Sequence, residues 1–454
     1  MMEKAKTTAL IILVALSLLQ SYLLAYSMPG FGAMVRSEQD YVNVEPMGPP
    51  TSVESVIFPE ELIVHLGNNK HTVIYPGTQF YEMILNQRIQ GREFKGFQRS
   101  SADVLNWEDV RKEDIGIELR FENGIPVELL QKLLKLEGDL LFLNETIDRI
   151  WIFKTTGTEE VRTFFFSADG QMVYESVRAD LTVRDVQDYV GFGQFQTEYE
   201  MTPDGLYLPR TPVQTTDMVF PYEAYSPDLM VRMFFDPSTT RSLEDRSGSQ
   251  IFTDGKRGLQ VEQNGMWITY TNPAAPQSVE NLLSDNVYAS VDFINDHGGW
   301  DGVHRFVSPA PEGADTDLRF KQYVDQYPVI DTPPFHYGFM RLRVQQSLVT
   351  EYARSTITLG PKAESRGVRY LPGGEELEQS LLKYDRRGEV TALFPALQAS
   401  PLDDKRLKFS PVWAVRLLDG TEEVLMDAYP SGYEPPEQDD RSASGAMNGA
   451  ESTG

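Results

Sequence analysis

Two imidazoles and two carboxylates stand within nine residues at Asp296-His297-Gly298-Gly299-Trp300-Asp301-Gly302-Val303-His304, and both types ligate hard or borderline metals. The spacing fits none of the familiar ligand patterns. A helix end capped by glycine, with His297 at the negative end of the helix dipole, explains the same residues without a metal. No metal or other cofactor is therefore expected. His65, His71 and His336 lie in strand-like segments, where half-buried ladder positions account for them. The chain carries no G-x-S-x-G, no G-x-x-x-x-G-K, no H-E-x-x-H and no EF-hand spacing. Gly191-Phe192-Gly193 lacks the third glycine of a dinucleotide loop and follows a helix-like stretch where a strand is required.

Without a nucleophile or ligand set, no catalytic residue is assigned and a non-enzymatic protein is expected. A carboxylate pair of the glycosidase kind has no sequence signature, so an exported cell-wall enzyme hidden among the 67 acidic residues is the alternative class. The acidic side chains outnumber 41 basic ones for a net charge of -26, which excludes nucleic acid as a partner. The chain has no cysteine, which excludes disulfides, thiolate metal sites and cysteine nucleophiles and leaves stability to core burial. Arg88, Arg92, Lys95 and Arg99, and separately Lys405, Arg406 and Lys408, form basic clusters expected to be solvated faces.

The elements that must carry these residues begin with an uncharged apolar segment, Thr7 to Met28. At about 1.5 Å per residue it makes roughly 33 Å of helix, enough to cross a hydrocarbon core of about 30 Å. Lys4 and Lys6 precede it, which keeps residues 1–6 in the cytoplasm and places everything after the single span outside. Ala25-Tyr26-Ser27 also permits a cleaved signal peptide and a secreted binding module, but the apolar run exceeds the usual secretory core. Within the span, Ser17, Ser21 and Ala25 recur every four residues with Gln20 beside them, a face suited to helix pairing. A plain anchor with small residues scattered by chance is the other reading of that face.

Residues 29–55, rich in Pro and Gly, read as a juxtamembrane linker. From Val56 the chain reads as α+β with antiparallel sheets, in three extracytoplasmic domains over residues 56–205, 206–330 and 331–430. Gly67-Asn68-Asn69, Asp254-Gly255, Asn264-Gly265 and Asp419-Gly420 mark hairpin turns. Helices are expected around Tyr81 to Ile89, after Pro126, after Ser226-Pro227, from Leu282 to Ile294 and from Glu375 to Tyr384. Residues 431–454 bury too little to order themselves and form an acidic tail.

In order and spacing, several segments together resemble one family. They are Leu24-Ala25-Tyr26-Ser27 closing a Lys-flanked anchor, Phe58-Pro59-Glu60-Glu61-Leu62-Ile63-Val64, His71-Thr72-Val73-Ile74-Tyr75-Pro76, Phe252-Thr253-Asp254-Gly255-Lys256-Arg257-Gly258-Leu259, Asn264-Gly265-Met266, Tyr270-Thr271-Asn272-Pro273 and Ser410-Pro411-Val412-Trp413. The chain resembles the YycH family, accessory regulators of the WalK/WalR (YycG/YycF) two-component system, as far as about Tyr429; the acidic tail departs from the pattern. The resemblance implies a non-enzymatic regulator at the cell membrane, controlling cell-wall homeostasis signalling. It would act with a YycI-type accessory protein and touch a WalK-type sensor histidine kinase through membrane helices and extracytoplasmic domains.

Overall fold

The hairpin expected at Gly67-Asn68-Asn69 forms: all three residues take positive φ (75°, 52° and 56°), and His65 stands directly opposite His71. The computed structural model describes residues 44–138, 140, 142–244, 249–273, 282–310 and 316–435. The expected membrane span, its flanks 1–6 and 29–43, and the tail from 436 lie outside the described residues. No helix among the described residues is long and apolar enough to cross a membrane.

Ten strands form the first sheet. From one edge they are Tyr207–Pro209, Tyr199–Met201, Lys70–Ile74, Glu61–Gly67, Ile115–Pro126, Thr146–Lys154, Val161–Ser167, Met172–Ala179, Glu93–Ser101 and Lys135–Glu137. Every pairing is antiparallel except the last, where Glu93–Ser101 meets Lys135–Glu137. The period of two sorts the side chains. Leu62, Leu119, Ile150 and Phe165 run across four strands on one face, and all are fully buried in the main core with Ile84, Leu130 and Tyr189 of the covering helices. The opposite face carries the rows Glu61-Arg120-Arg149-Phe166 and Ile63-Glu118-Trp151-Phe164, with His65 and His71 beyond. A short helix, Trp107–Glu113, N-capped by Asn106, covers part of this second face. Its Trp107 packs edge-on to Phe164 and Phe166.

The second sheet holds fifteen strands in two antiparallel portions. One portion, within residues 241–355, contains the expected meander: Gln250–Thr253, Gly258–Glu262 and Trp267–Thr271 pair in sequence, joined at Asp254-Gly255 and Asn264-Gly265. The helix Leu283–Asp296 packs Val287, Val291 and Ile294 onto it. The other portion contains Val213–Ala224, Ser365–Leu371, Val390–Leu402, Arg406–Leu417 and Glu422–Asp427. The helix Glu375–Leu382 seals it by packing Leu377 and Leu381 into a cluster with Trp413 and Val415. Tyr327–Ile330 joins the portions, antiparallel to Asp317–Val324 and parallel to Val390–Leu402.

Two expected domain limits need correction. Residue 205 falls inside the hairpin of Tyr199–Met201 and Tyr207–Pro209, so the first sheet ends at Pro209. Residues 206–330 and 331–430 do not form separate sheets, because Val213–Ala224 pairs with Ser365–Leu371 and with Arg406–Leu417. The strand-rich pattern after Asp331 is a return to a sheet begun at Val213. The described residues from Val44 onward fold as one unit.

Candidate functional site

The histidine-rich turn is a clasp for the chain's own entry segment. His297 donates from Nδ1 to the Phe293 carbonyl at 2.8 Å and stacks against both Phe234 and Phe293. His304 donates from Nδ1 to Gly302 O at 3.1 Å, while Asp301 is taken by Arg354 at 2.9 Å. Burial pushes both imidazoles below their ordinary range, toward the neutral form. No group of three or more metal-ligating side chains occurs among the described residues. Against this turn lie residues 48–51. Gly48 N–H donates to Gly298 O at 3.2 Å and Trp300 N–H to Pro49 O at 3.1 Å. Asn295 closes the contact, its Oδ1 accepting from Thr51 N–H and its Nδ2 donating to Thr51 O, both at 2.9 Å, while the Trp300 indole adds a bond at 2.8 Å. The glycines serve close approach: a Cβ on Gly48 would lie 1.8 Å from Trp300 O, and one on Gly299 2.0 Å from Gly48 O.

The other residues that the sequence marks as candidates scatter. Arg88 pairs with Asp188, Arg92 with Asp185, and Lys95 with Glu93 and Glu137, all within the first sheet and its helices, so this cluster is a set of internal pairs as well as a surface. His65 and His71 are fully buried, not half-buried, and His336 lies outside the strands beside Asp331. Ser17, Gln20, Ser21 and Ala25 lie outside the described residues.

The chemistry concentrates instead in a cleft of about 530 Å³ between the second face of the first sheet and the strands that carry Arg305, Tyr323, Phe394 and Arg416. At one end, Glu122 of Ile115–Pro126 accepts from Arg305 at 2.5 Å, Lys321 at 2.7 Å and Arg416 at 2.9 Å. Glu60 accepts from Arg416 at 2.8 Å, and Glu422 from Lys321. Three cations and three carboxylates thus close a network whose members, Glu60 apart, are 7% exposed or less. Burial alone would raise Glu122, but Arg416, Lys321 and Arg305 outweigh it and hold the carboxyl far below the usual range. The network ties the two sheets together, since Glu122 comes from the first and its partners from the second.

Alongside it, Glu118 is fully buried and accepts from Arg120 Nε at 2.8 Å and His65 Nε2 at 3.2 Å. Burial raises this carboxyl too, yet Arg120, His65 and Arg149 overcome it and keep it ionised. A carboxylate only accepts, so His65 carries its proton on Nε2 and leaves Nδ1 to accept from His71 Nδ1 at 3.0 Å. Burial lowers both rings, His71 to about 3, so both are neutral at pH 7. Two carboxyls lining the cleft go the other way. Burial pushes Glu61 up to about 7 and Asp148 to about 6. Asp148 is the extra residue of a β-bulge, because Ile147 and Arg149 face the successive residues Ser167 and Phe166. Both carboxyls belong to the first-sheet wall, whereas a glycosidase places its pair on two sides of the scissile bond.

No motif in the sequence singles out these cleft residues as a site. The family-like segments Phe58 to Val64 and His71 to Pro76 contain Glu60, Glu61, Tyr75 and Pro76 of the cleft lining without marking them as a site, and the alternation Glu118-Leu119-Arg120-Phe121-Glu122 reads equally as a solvated strand face.

Fold and site together define a sheet-dominated α+β protein, two sheets clamped by buried charge around a polar cleft, with no group of three metal-ligating side chains among the described residues. Residues 3–191 match the family profile described as "YycH protein, N-terminal domain" and residues 204–428 that described as "YycH protein, C-terminal domain". The chain belongs to the YycH family. The "Two-component system WalR/WalK regulatory protein YycH" of Bacillus subtilis (strain 168) is 20% identical over 436 residues, which cover 91% of this chain and 94% of that one. The crystal structure of YycH from Bacillus subtilis shares the fold at a TM-score of 0.67 and 19% identity, covering 83% of this chain and 98% of that one.

Proposed function

We propose that this chain is a membrane-anchored, extracytoplasmic and non-enzymatic regulator of a two-component system, biasing a WalK-type sensor histidine kinase through protein contacts made together with a YycI-type accessory protein. The observation that carries this reading is the nearly end-to-end match to a relative named for WalR/WalK regulation. Two features support it. The small-residue face Ser17, Gln20, Ser21 and Ala25 suits pairing with another membrane helix. Residues 48–51, which lie toward the end of the expected linker, are bonded to the end of Leu283–Asp296, a contact available to couple that segment to the second sheet. A regulator of this kind acts only through contacts that differ between the kinase's signalling states.

Photo-crosslinking from Ser21 in native membranes tests the reading. Capture of a sensor kinase of the WalK type and a YycI-type protein is expected, and capture of neither overturns it. Leucine at Ser17 and Ser21 should weaken that capture by roughly 3- to 30-fold per lost contact, while alanine at Leu19 and Leu23 should do much less. External protease on protoplasts should remove the bulk of the chain and spare an amino-terminal tag. Protein in the medium whose mass shows loss of the segment up to about Ser27 would point instead to the secreted binding module.

A further inference from the structure

Four buried polar atoms that line the cleft or belong to residues lining it have no hydrogen-bond partner among the described residues: Arg111 Nε, Arg149 Nε, Tyr207 Oη and Asp148 Oδ1. Buried polar groups are nearly always paired; other unpaired atoms occur among the described residues, but here four gather around one cleft with room for a ligand. Three of the four are donors.

The way the two arginines are held explains what they are free to do. Arg305 and Arg416, across the cleft, spend their charge on Glu122 and Glu60. Arg111 makes no ion pair among the described residues; its guanidinium lies 5.2 Å from the centre of the Trp151 ring. Arg149 lies 4.3 Å from the Phe166 ring centre and reaches Glu118 only at 3.6 Å. Ring faces orient a guanidinium plane while leaving its N–H edge available. Tyr207 is 6% exposed, with its ring against Arg120 and the edge of His71.

Planar guanidiniums with a hydroxyl beside them select an oxyanion, because carboxylate and phosphoryl oxygens match the spacing of their N–H groups. The chain as a whole carries a charge of -26, whereas this wall sets Arg111, Arg120 and Arg149 beside Glu61, Glu118 and Asp148 and so is balanced rather than acidic. A volume of about 530 Å³ holds far more than one inorganic ion and falls in the usual range for small-molecule sites.

We propose that the cleft binds a small anionic molecule, its carboxylate or phosphoryl group seated on Arg111, Arg149 and Tyr207, with Asp148 meeting a polar group of the same ligand. This goes beyond regulation by protein contacts: it gives the chain a small-molecule input at the place where its two sheets are clamped. The shared chemistry is the oxyanion, and experiment separates the two sources.

The test uses the full chain in detergent micelles at about 0.15 M salt, where non-specific attraction is screened. Isothermal titration with inorganic phosphate, citrate and uncharged glucose supplies the probes. At least one of the two anions should bind saturably, and glucose should not. Phosphate alone assigns a phosphoryl ligand, citrate alone a carboxylate, and both support the oxyanion seat. Arg111→Gln and Arg149→Gln should each weaken binding by about 10-fold or more. Tyr207→Phe should weaken it several-fold while leaving the melting temperature of the ligand-free chain unchanged or higher, because the lost hydroxyl has no partner there. Arg366→Gln, at an exposed pair with Asp325, should change nothing. Binding of neither anion up to roughly 10 mM, or binding that ignores the three cleft variants, overturns the proposal. No kinase takes part, so failure here leaves the regulatory reading untouched.

Discussion

Replacing Glu122 by glutamine keeps the side-chain volume and removes one charge from the network that joins the two sheets. In the native chain, Arg305, Lys321 and Arg416 face Glu60, Glu122 and Glu422; after the change three buried cations face two carboxylates. Arg305 and Lys321 are 2% and 3% exposed, so water cannot replace the lost partner. Leaving a buried charge uncompensated costs about 3–5 kcal/mol, and the upper end is expected because Glu122 serves three cations at once. The pH dependence carries a sign. The three cations hold the Glu122 carboxyl far below its ordinary 4.5, so its stabilisation is complete above that value and is lost progressively as pH falls from there toward the lower value of the folded chain. The gap between native and Glu122→Gln chains should therefore be widest at neutral pH and narrow progressively as pH falls below about 4.5.

Urea unfolding of the full chain, followed by tryptophan fluorescence, measures both. Trp151 reports the first sheet and Trp413 the second, and both are buried. A loss below about 1 kcal/mol, or one constant from pH 7 to pH 3, would refute the view that this cluster is a desolvated clamp. Adding Lys321→Met restores two charges of each sign, so part of the loss should return.

Asn295→Ala removes both bonds to Thr51 and the Trp300 indole bond; it should cost roughly 1–3 kcal/mol and make residues 44–52 the first site of limited proteolysis. Gly48→Ala should release the same segment more completely, because the new Cβ meets backbone at 1.8 Å and nothing flexible can yield. Asp148→Asn should stabilise the ligand-free chain above pH 6 by up to about 3 kcal/mol, since burial raises this carboxyl from 3.8 to about 6 and its ionisation opposes folding. Below about pH 4 the two chains should melt alike, and a gap that persists there would assign the effect to packing.

The local grammar of this chain is legible from its residues alone. Gly67-Asn68-Asn69, Asp254-Gly255 and Asp419-Gly420 place left-handed conformations where only Gly and Asn adopt them easily, and each turns a hairpin. Pro227 at the start of one helix and Gly298 after another act over a few residues in the same way. The family resemblance rests on such signals in their order. Tertiary structure alone decided the sheet partners and the cleft. Val213–Ala224 waits for Ser365–Leu371 and Arg406–Leu417, and no local signal names a partner so distant in the chain. Tertiary structure also turned an apparent metal cluster into a clasp, by laying Gly48 and Thr51 against it. Glu118, Arg120 and Glu122 alternate with apolar residues as any solvated strand would. Whether such a face meets water or a second sheet depends on what packs against it, and that sets the dielectric around the charges and so which carboxyls stay ionised.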